Sequence, residues 1–374
     1  MNTRYLMIYL ASCAMHGEIP DKRKIESVDI EKLFDICKFH SIAGLVAYAL
    51  ESAGIKDEKF EKEKSLVIRN TILLDSERKK IFEFFEKEKI WYMPLKGVYL
   101  KELYPKIGMR QMCDNDILID MSKIGVVDEF MKNRGYTMDK SEESHDWAYQ
   151  KPVCYNYEMH KTLVGDYHNK VWYDYYLNVK DRLVKDEGND YGFHFTNEDF
   201  YIYMRLHEYK HFSVSGIGIR SLIDVYVFLK RYEKELDWKY IEAECRKLGI
   251  ADFEQQTRKL AGLVFSSYDL SFLDSKNKEL LEYYLSSGTY GTVENLTKNK
   301  LNDLKADDKK FLRLRYVFRR FFPPMEIYRV WFPFFYKHKI LLPVGWLYRL
   351  IRAPFYTRKK IKSEIKELKR NNKA

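Results

Sequence analysis

Two aspartates open a short apolar run in the first half of the chain. Asp114 and Asp116 precede the apolar residues 117–119, a pattern that predicts a β-strand over residues 113–120. Because alternate residues of a strand point to one face, the two carboxylates share a face, about 7 Å apart along the strand. Carboxylate oxygens in this arrangement can bind Mg²⁺, which leaves coordination positions open for substrate phosphates. The pair therefore indicates phosphoryl or nucleotidyl transfer.

A predicted hairpin supplies a third acid. Residues 145–151 and 155–163 favour two antiparallel strands joined by a proline-containing turn. Glu158 and His160 share one face of the second strand. If that strand lies beside the aspartate strand, three carboxylates meet, and their mutual repulsion is costly unless a cation neutralises it. The alternative is that the three acids are unrelated surface charges on half-exposed strands.

The order of these residues resembles that of the uncharacterised bacterial nucleotidyltransferases, a divergent branch of the polymerase-beta-like nucleotidyltransferase superfamily. The most specific part of the resemblance is the succession from Lys96-Gly97 through Arg110 to Asp114-x-Asp116. Further matching segments are Leu103-Tyr104-Pro105, Glu158-x-His160, the helix around His207 and His211, residues 220–224 and residues 323–349. The resemblance thus extends over most of the chain.

This resemblance implies an α+β fold in which a small mixed sheet is flanked by helices. It also implies Mg²⁺ (or Mn²⁺) bound by Asp114, Asp116 and Glu158, and a nucleoside triphosphate such as ATP as the donor. An acceptor hydroxyl would attack the α-phosphate in line, and pyrophosphate would leave. Glu158 would complete the metal site or take the hydroxyl proton.

Residues upstream of the aspartates would contact the donor in such an enzyme. Lys96 and Arg110 would bind phosphate oxygens, and the planar guanidinium of Arg110 suits two parallel hydrogen bonds. Gly97 would let the backbone approach the phosphates closely. The acceptor, a small molecule or a macromolecule, is not specified by any of these residues.

The expected acceptor side comprises His160, His207, His211, Arg220 and Asp224. A structural histidine beside the site is an equally good interpretation of His160. Arg220 and Asp224 stand four residues apart, so a salt bridge on one helix face is the simplest interpretation of that pair. Contact with the substrate is the alternative.

A competing motif lies in the predicted helix 198–212. His207-Glu208-x-x-His211 matches the H-E-x-x-H pattern of zinc peptidases, in which two histidines bind zinc and the glutamate is the general base. Glu233 and Glu235 follow downstream, where a third ligand would be sought. The nucleotidyltransferase interpretation is preferred because it accounts for several separate segments at once.

Composition favours a mostly helical protein with short connections, since only 17 glycines and 9 prolines occur in 374 residues. Apolar residues at helical spacing predict helices before residue 85, one of which starts at Asn70, and after residue 197, one of which covers residues 219–232. A further helix is predicted over residues 124–133. The predicted organisation is an N-terminal helical region (1–85), a nucleotidyltransferase core (86–190), a helical domain (191–305) and a basic, aromatic C-terminal segment (306–374).

Charge is concentrated at the C-terminus, where residues 311–374 contain 17 Lys or Arg and 3 Asp or Glu. Aromatic residues interleaved with these cations could lie in an anionic membrane interface, or bind a nucleic acid or acidic glycan. They could also pack on the body of the protein. The five cysteines are scattered without a C-x-x-C pair, which favours a reducing cytoplasm, with the inner membrane face as a peripheral location.

The sequence therefore predicts a magnesium-dependent nucleotidyltransferase that moves a nucleoside monophosphate from a nucleoside triphosphate to an acceptor hydroxyl. The main alternative is a catalytically inactive nucleotidyltransferase-like protein that acts as a binding or membrane-surface module. Metal-dependent nucleotide turnover separates the two.

Overall fold

The computed structural model describes residues 2–112, 114–139, 146–303, 315–316, 318–349, 351 and 364. Cys113 and His145, the first residues of two predicted strands, lie outside these residues. Most of the last lysine-rich stretch of the C-terminal segment also lies outside them. Within the described residues, no helix has the length and the apolar character that a bilayer crossing requires.

Five helices precede the sheet. They are α1 (Thr3–His16), α2 (Lys22–Glu26), α3 (Ile30–Phe39), α4 (Ala43–Ser52) and α5 (Glu58–Lys87). Most begin at a side chain that caps free backbone amides: Asp57, for example, accepts from the amides of Lys59 and Phe60. Helix α5 begins twelve residues before the predicted start at Asn70, because its first turns are too rich in charge to show a clear apolar period.

The central sheet has five strands in the spatial order β1-β2-β5-β4-β3. The strands are β1 (Tyr92–Pro94), β2 (Asn115–Ile119), β3 (Thr137–Asp139), β4 (Asp146–Lys151) and β5 (Tyr155–His160). Strand β2 is antiparallel to β1 and parallel to β5, whereas β4 forms antiparallel pairs with β3 and β5. Helices α6 (Gly97–Leu100) and α7 (Ile124–Asn133) connect the first three strands. The sheet is therefore mixed, as predicted.

The second half of the chain is helical apart from a short hairpin, β6 (Val184–Lys185) and β7 (Phe193–His194). Among the described residues, its helices include α8 (Lys170–Tyr176), α9 (Asn197–Ser215), α10 (Ile219–Tyr232), α11 (Trp238–Lys247), α12 (Ala251–Phe265), α13 (Ser275–Ser287), α14 (Val293–Asp303), α15 (Met325–Trp331) and α16 (Pro333–Lys337). The predicted α+β class is confirmed.

Strand β2 lies between two hydrophobic clusters. Ile117 and Ile119 pack into a cluster with α5, α7 and the strands, while Leu118 packs into a larger cluster with the N- and C-terminal helices. Because side chains alternate along a strand, the aspartate face of β2 is the face that meets the helical half. Asn115, on the other face, is fully buried and accepts a hydrogen bond from Arg78 of α5.

The larger cluster joins helices from before residue 85 to helices from after residue 197. The four-segment organisation remains a prediction, but this shared core fixes α9 and α10 in place beside the sheet. The carboxylate face of β2 therefore faces a wall of packed helices.

Candidate active site

The turn after β1 brings a lysine to the aspartates. The amide of Leu95 donates to the carbonyl of Asp116 at 2.9 Å, which fixes the turn against β2. Lys96 then adopts a positive φ of 36°, a conformation that is rare for a residue with a side chain and that often marks functional positions. Its Nζ lies 2.9 Å from Oδ2 of Asp116.

The parallel pairing of β2 with β5 assembles the acids. Asp116 and Glu158 are direct neighbours in the register, so their side chains lie on one face of adjacent strands. His160 donates through Nε2 to Oδ1 of Asp116 at 3.1 Å and lies 3.8 Å from Oε2 of Glu158. Asp114 precedes β2 by one residue and points to the same cavity. The predicted meeting of three carboxylates is observed.

The three carboxylates differ in their affinity for protons. Burial and the charge of Asp116 raise the pKa of Asp114. Burial, together with the charges of Asp116 and Asp114, raises the pKa of Glu158 to about 8. Burial would also raise the pKa of Asp116, but Lys96 and the hydrogen bond from His160 hold it well below its usual range. Asp116 is therefore ionised at neutral pH, whereas Glu158 holds its proton there, and added positive charge would favour the ionisation of both Glu158 and Asp114.

The donor set fits a divalent cation. One ligand atom from each of Asp116, Glu158 and His160 lies within 4.8 Å of the others. Asp114 adds a further oxygen on the same side, and hard cations such as Mg²⁺ and Mn²⁺ prefer carboxylate oxygens. A bound cation would also relieve the repulsion that raises the pKa values of Asp114 and Glu158.

Glu158→Gln is expected to stabilise the metal-free protein in a pH-dependent manner. The pKa of Glu158 rises on folding from an ordinary 4.5 to about 8, so the folded state holds its proton more tightly than the unfolded state. Wild-type stability therefore falls as the pH rises through this window, a loss that glutamine avoids. The variant should match wild type near pH 4.5 and be more stable by roughly 1–3 kcal/mol at pH 8.5.

Urea denaturation in EDTA at both pH values measures this difference. The exposed Glu279→Gln serves as the control and should give no pH-dependent gain. A gain for Glu158→Gln that is the same at both pH values would contradict the assignment.

Arg110 forms a buried ion pair that the sequence did not reveal. Its Nε and Nη2 donate to the two carboxylate oxygens of Asp224 at 2.8 and 3.0 Å, and the hydroxyl of Tyr104 donates to the same carboxylate. Arg220 instead donates to the carbonyl of Gln111 at 3.1 Å. The expected Arg220–Asp224 bridge is therefore replaced by a pair that ties the segment before β2 to α10.

Gly97 has a packing role in this arrangement. A Cβ atom at this position would lie 2.8 Å from Nη1 of Arg110 and 2.9 Å from Cε of Met112. The absence of a side chain therefore lets Arg110 reach Asp224 across the backbone of α6. The predicted close approach of the Gly97 backbone to the phosphates remains a prediction.

Helix α9 lines the opposite wall of the cavity with His207, Lys210 and His211. The two histidine Nε2 atoms lie 3.1 Å apart, so one donates and the other accepts. Burial and the charge of Lys96 hold the pKa of His207 well below its usual range. Burial and Lys96 also lower the pKa of Lys210 to about 8. This wall therefore carries positive potential and N–H donors, which suit an anionic ligand.

Glu208 does not offer the free carboxylate that the general base of a zinc peptidase needs. Its carboxylate is buried and accepts hydrogen bonds from Arg205, from the hydroxyl of Tyr284 at 2.6 Å and from Ser221 at 3.1 Å. Glu235, one of the two downstream glutamates where a third zinc ligand was expected, forms an ion pair with Arg231 on the surface. Among the described residues, the one cluster of metal-ligand type is that of Asp116, Glu158 and His160. The zinc-peptidase interpretation thus has neither its base nor its third ligand.

All eleven predicted site residues line a single cavity of about 420 Å³. Their chemical roles remain predictions, but the residues predicted to share one site do line one cavity, although they lie up to 128 positions apart in the chain, from Lys96 to Asp224. The structure adds Asp146, Lys210, Thr289 and Tyr290 to the wall. Asp146 of β4 lies directly opposite His160 of β5 in the strand register. Lys210 could have been found from its spacing, since it lies three residues after His207 and therefore on the same helix face.

Comparison with known families agrees with this geometry. Residues 26–266, more than half of the chain, match the model of a family described as uncharacterised nucleotidyltransferase. The chain belongs to this family. The predicted family is thereby confirmed, and the match includes the whole sheet and helices α9 and α10. Comparisons with curated proteins and with solved structures gave no match.

The described part of the C-terminal segment lies beyond the family match and is unusually apolar at its surface. Tyr328 is buried and Arg329 pairs with Asp166 of the body at 2.7 Å, yet many large side chains around them are exposed. The exposed apolar residues include Phe318, Phe321, Phe322, Phe334, Ile340, Val344, Leu347 and Ile351. Part of the segment therefore packs on the protein, as one interpretation expected, and part presents an apolar and cationic surface.

Proposed function

We propose that this protein is a magnesium-dependent nucleotidyltransferase that transfers a nucleoside monophosphate from a nucleoside triphosphate to an acceptor hydroxyl. The observation that carries the proposal is the in-register pairing of Asp116 with Glu158, with Lys96 held against Asp116. Family membership supports the same reaction class. The cavity of about 420 Å³ falls in the size range of small-molecule sites.

Asp114, Asp116 and Glu158 would hold the divalent cation. When bound, the cation supplies Lewis acidity at the phosphate oxygens and offsets the charge that develops during transfer. His160 orients Asp116 through its hydrogen bond. Lys96, which binds Asp116 in the free protein, is placed to share its charge between that carboxylate and an incoming phosphate.

The opposite wall would bind the rest of the triphosphate. Lys210 and the two neutral histidines of α9 present cationic and N–H groups across the cavity from the acids. The acceptor oxygen would form a bond to the α-phosphorus as the bond to the bridging oxygen breaks and pyrophosphate leaves. Glu158 would complete the metal site or, alternatively, take the hydroxyl proton. Arg110 supports the site through its pair with Asp224.

Calorimetric titration of ATP, GTP, CTP and UTP, each with and without Mg²⁺, tests this proposal. Wild type should bind at least one nucleotide only when Mg²⁺ is present, and Asp114→Ala/Asp116→Ala should lose that binding. If folded wild-type protein binds none of the four, the inactive-module alternative becomes the better description. Measurement of bound zinc in the purified protein tests the peptidase interpretation, and none is expected.

We also propose that the C-terminal segment binds an anionic membrane surface. Exposed Phe318, Phe334 and Ile340 stand among the exposed cations Arg319, Lys337 and Lys339, a combination suited to the lipid interface. Flotation with vesicles rich in anionic lipid should carry the protein upward, and neutral vesicles should not.

A charge reversal in this segment gives the specific prediction. Lys337→Glu/Lys339→Glu should reduce flotation at least tenfold, because each basic residue near an anionic surface contributes about 1 kcal/mol. Lys56→Glu/Lys62→Glu, at an exposed lysine just before α5 and an exposed lysine within it, has the same effect on net charge and should float like wild type. Equal loss in both variants would mean that overall charge, rather than this segment, is responsible.

A further inference from the structure

The loop between α13 and α14 closes one side of the cavity with an aromatic ring. Thr289 and Tyr290 line the same cavity as the acids, and the side chain of Tyr290 is 75% exposed. Among the described residues that line this cavity, Tyr290 is the one Phe, Tyr or Trp. The loop follows residue 266, where the family match ends. This chain therefore supplies that wall from outside the matched region.

The loop is held firmly by contacts on both sides. Gly288 and Gly291 adopt positive φ angles of 64° and 71°. A Cβ atom at Gly288 would lie 2.5 Å from the ring of Phe39, and one at Gly291 would lie 2.3 Å from Oγ of Ser215. The amide of Thr289 donates to the carbonyl of Phe39 at 3.0 Å. Two close glycine contacts and this hydrogen bond fix the backbone on either side of Tyr290.

We propose that Tyr290 forms a stacking subsite for the nucleobase of the donor nucleotide. The inference rests on the proposed function, which places the triphosphate between the acids and the wall formed by α9. Apart from the triphosphate, such a donor consists of a sugar and a base. The base has a planar, apolar face, and every nucleobase can stack on an aromatic ring. An exposed ring at a fixed position in a cavity lined mainly by charged and polar side chains suits the base.

Inorganic tripolyphosphate separates the two ends of the site, because it carries the charge of the donor without a base. Calorimetry in Mg²⁺ compares its binding with that of the nucleotide selected above. Tyr290→Ala should weaken nucleotide binding by roughly tenfold or more and leave tripolyphosphate binding within twofold of wild type. Tyr290→Phe retains the ring and should bind both ligands like wild type.

Phe272→Ala is the matched control, because Phe272 is also an exposed aromatic residue after the family match but does not line the cavity. It should leave both affinities unchanged. Unchanged nucleotide binding by Tyr290→Ala, or equal weakening of both ligands, would overturn the stacking subsite while leaving the proposed function intact. Failure of wild type to bind any nucleotide would overturn both.

Discussion

Asp116→Asn is expected to lower the rate of pyrophosphate release at least a thousandfold, which corresponds to a loss of about 4 kcal/mol of transition-state stabilisation. Asp116 is the one acid of the three whose pKa is held well below the usual range, so it would provide a permanent negative charge for the proposed cation. It also organises Lys96 and His160. Asparagine retains the shape but removes that charge, and the hard cation loses an anionic oxygen ligand. Pyrophosphate release is measured with the nucleotide that the titration identifies.

Asp120→Asn is the matched control for this effect. Asp120 follows β2 and caps the next turn by accepting from Ser122, a role that asparagine performs equally well. This variant should retain wild-type turnover. Urea denaturation of Asp116→Asn distinguishes loss of chemistry from loss of structure, since the substitution leaves Lys96 without its ion pair. A folded Asp116→Asn protein with more than a tenth of wild-type activity would exclude Asp116 as the central ligand.

Local patterns in the sequence were sufficient to find the acids. The apolar run after Asp116 and the alternation around Glu158 each have the period of a strand, and that period alone places each carboxylate on a face. Helices 124–133 and 219–232 were predicted with the bounds that the structure has, because their apolar spacing ends at clear boundaries. What the period could not give was the parallel pairing of β2 with β5, because the pairing of two strands depends on contacts outside either of them.

Contacts between distant segments account for what the sequence did not reveal. Arg110 and Asp224 are 114 positions apart, whereas Arg220 and Asp224 are helix neighbours, so a local rule favoured the wrong partner. The same limit applies to Tyr290, whose position depends on contacts of Gly288 with Phe39 and of Gly291 with Ser215. Such choices depend on packing across the whole fold, and no spacing rule within one helix or strand contains them.

Glu208→Ala is expected to destabilise the protein by about 3–5 kcal/mol, the largest stability effect of any single substitution considered. Arg205 is completely buried and its ion-pair partner is Glu208. Removal of that carboxylate leaves a buried positive charge without its partner and the buried hydroxyl of Tyr284 without its acceptor. A zinc peptidase predicts the opposite pattern, in which the substitution of this glutamate abolishes catalysis while the fold is hardly affected.

Urea denaturation at neutral pH measures the change in the free energy of unfolding, with Glu235→Ala as the control. Glu235 pairs with Arg231 on the exposed face of α10, so its removal should cost less than about 1 kcal/mol. Should Glu208→Ala prove too unstable to purify, Glu208→Gln retains an acceptor oxygen for Tyr284 and should lie between wild type and the alanine variant. A Glu208→Ala protein as stable as the Glu235→Ala control would show that Arg205 is compensated elsewhere. It would also reopen the question of what the glutamate between the two histidines does.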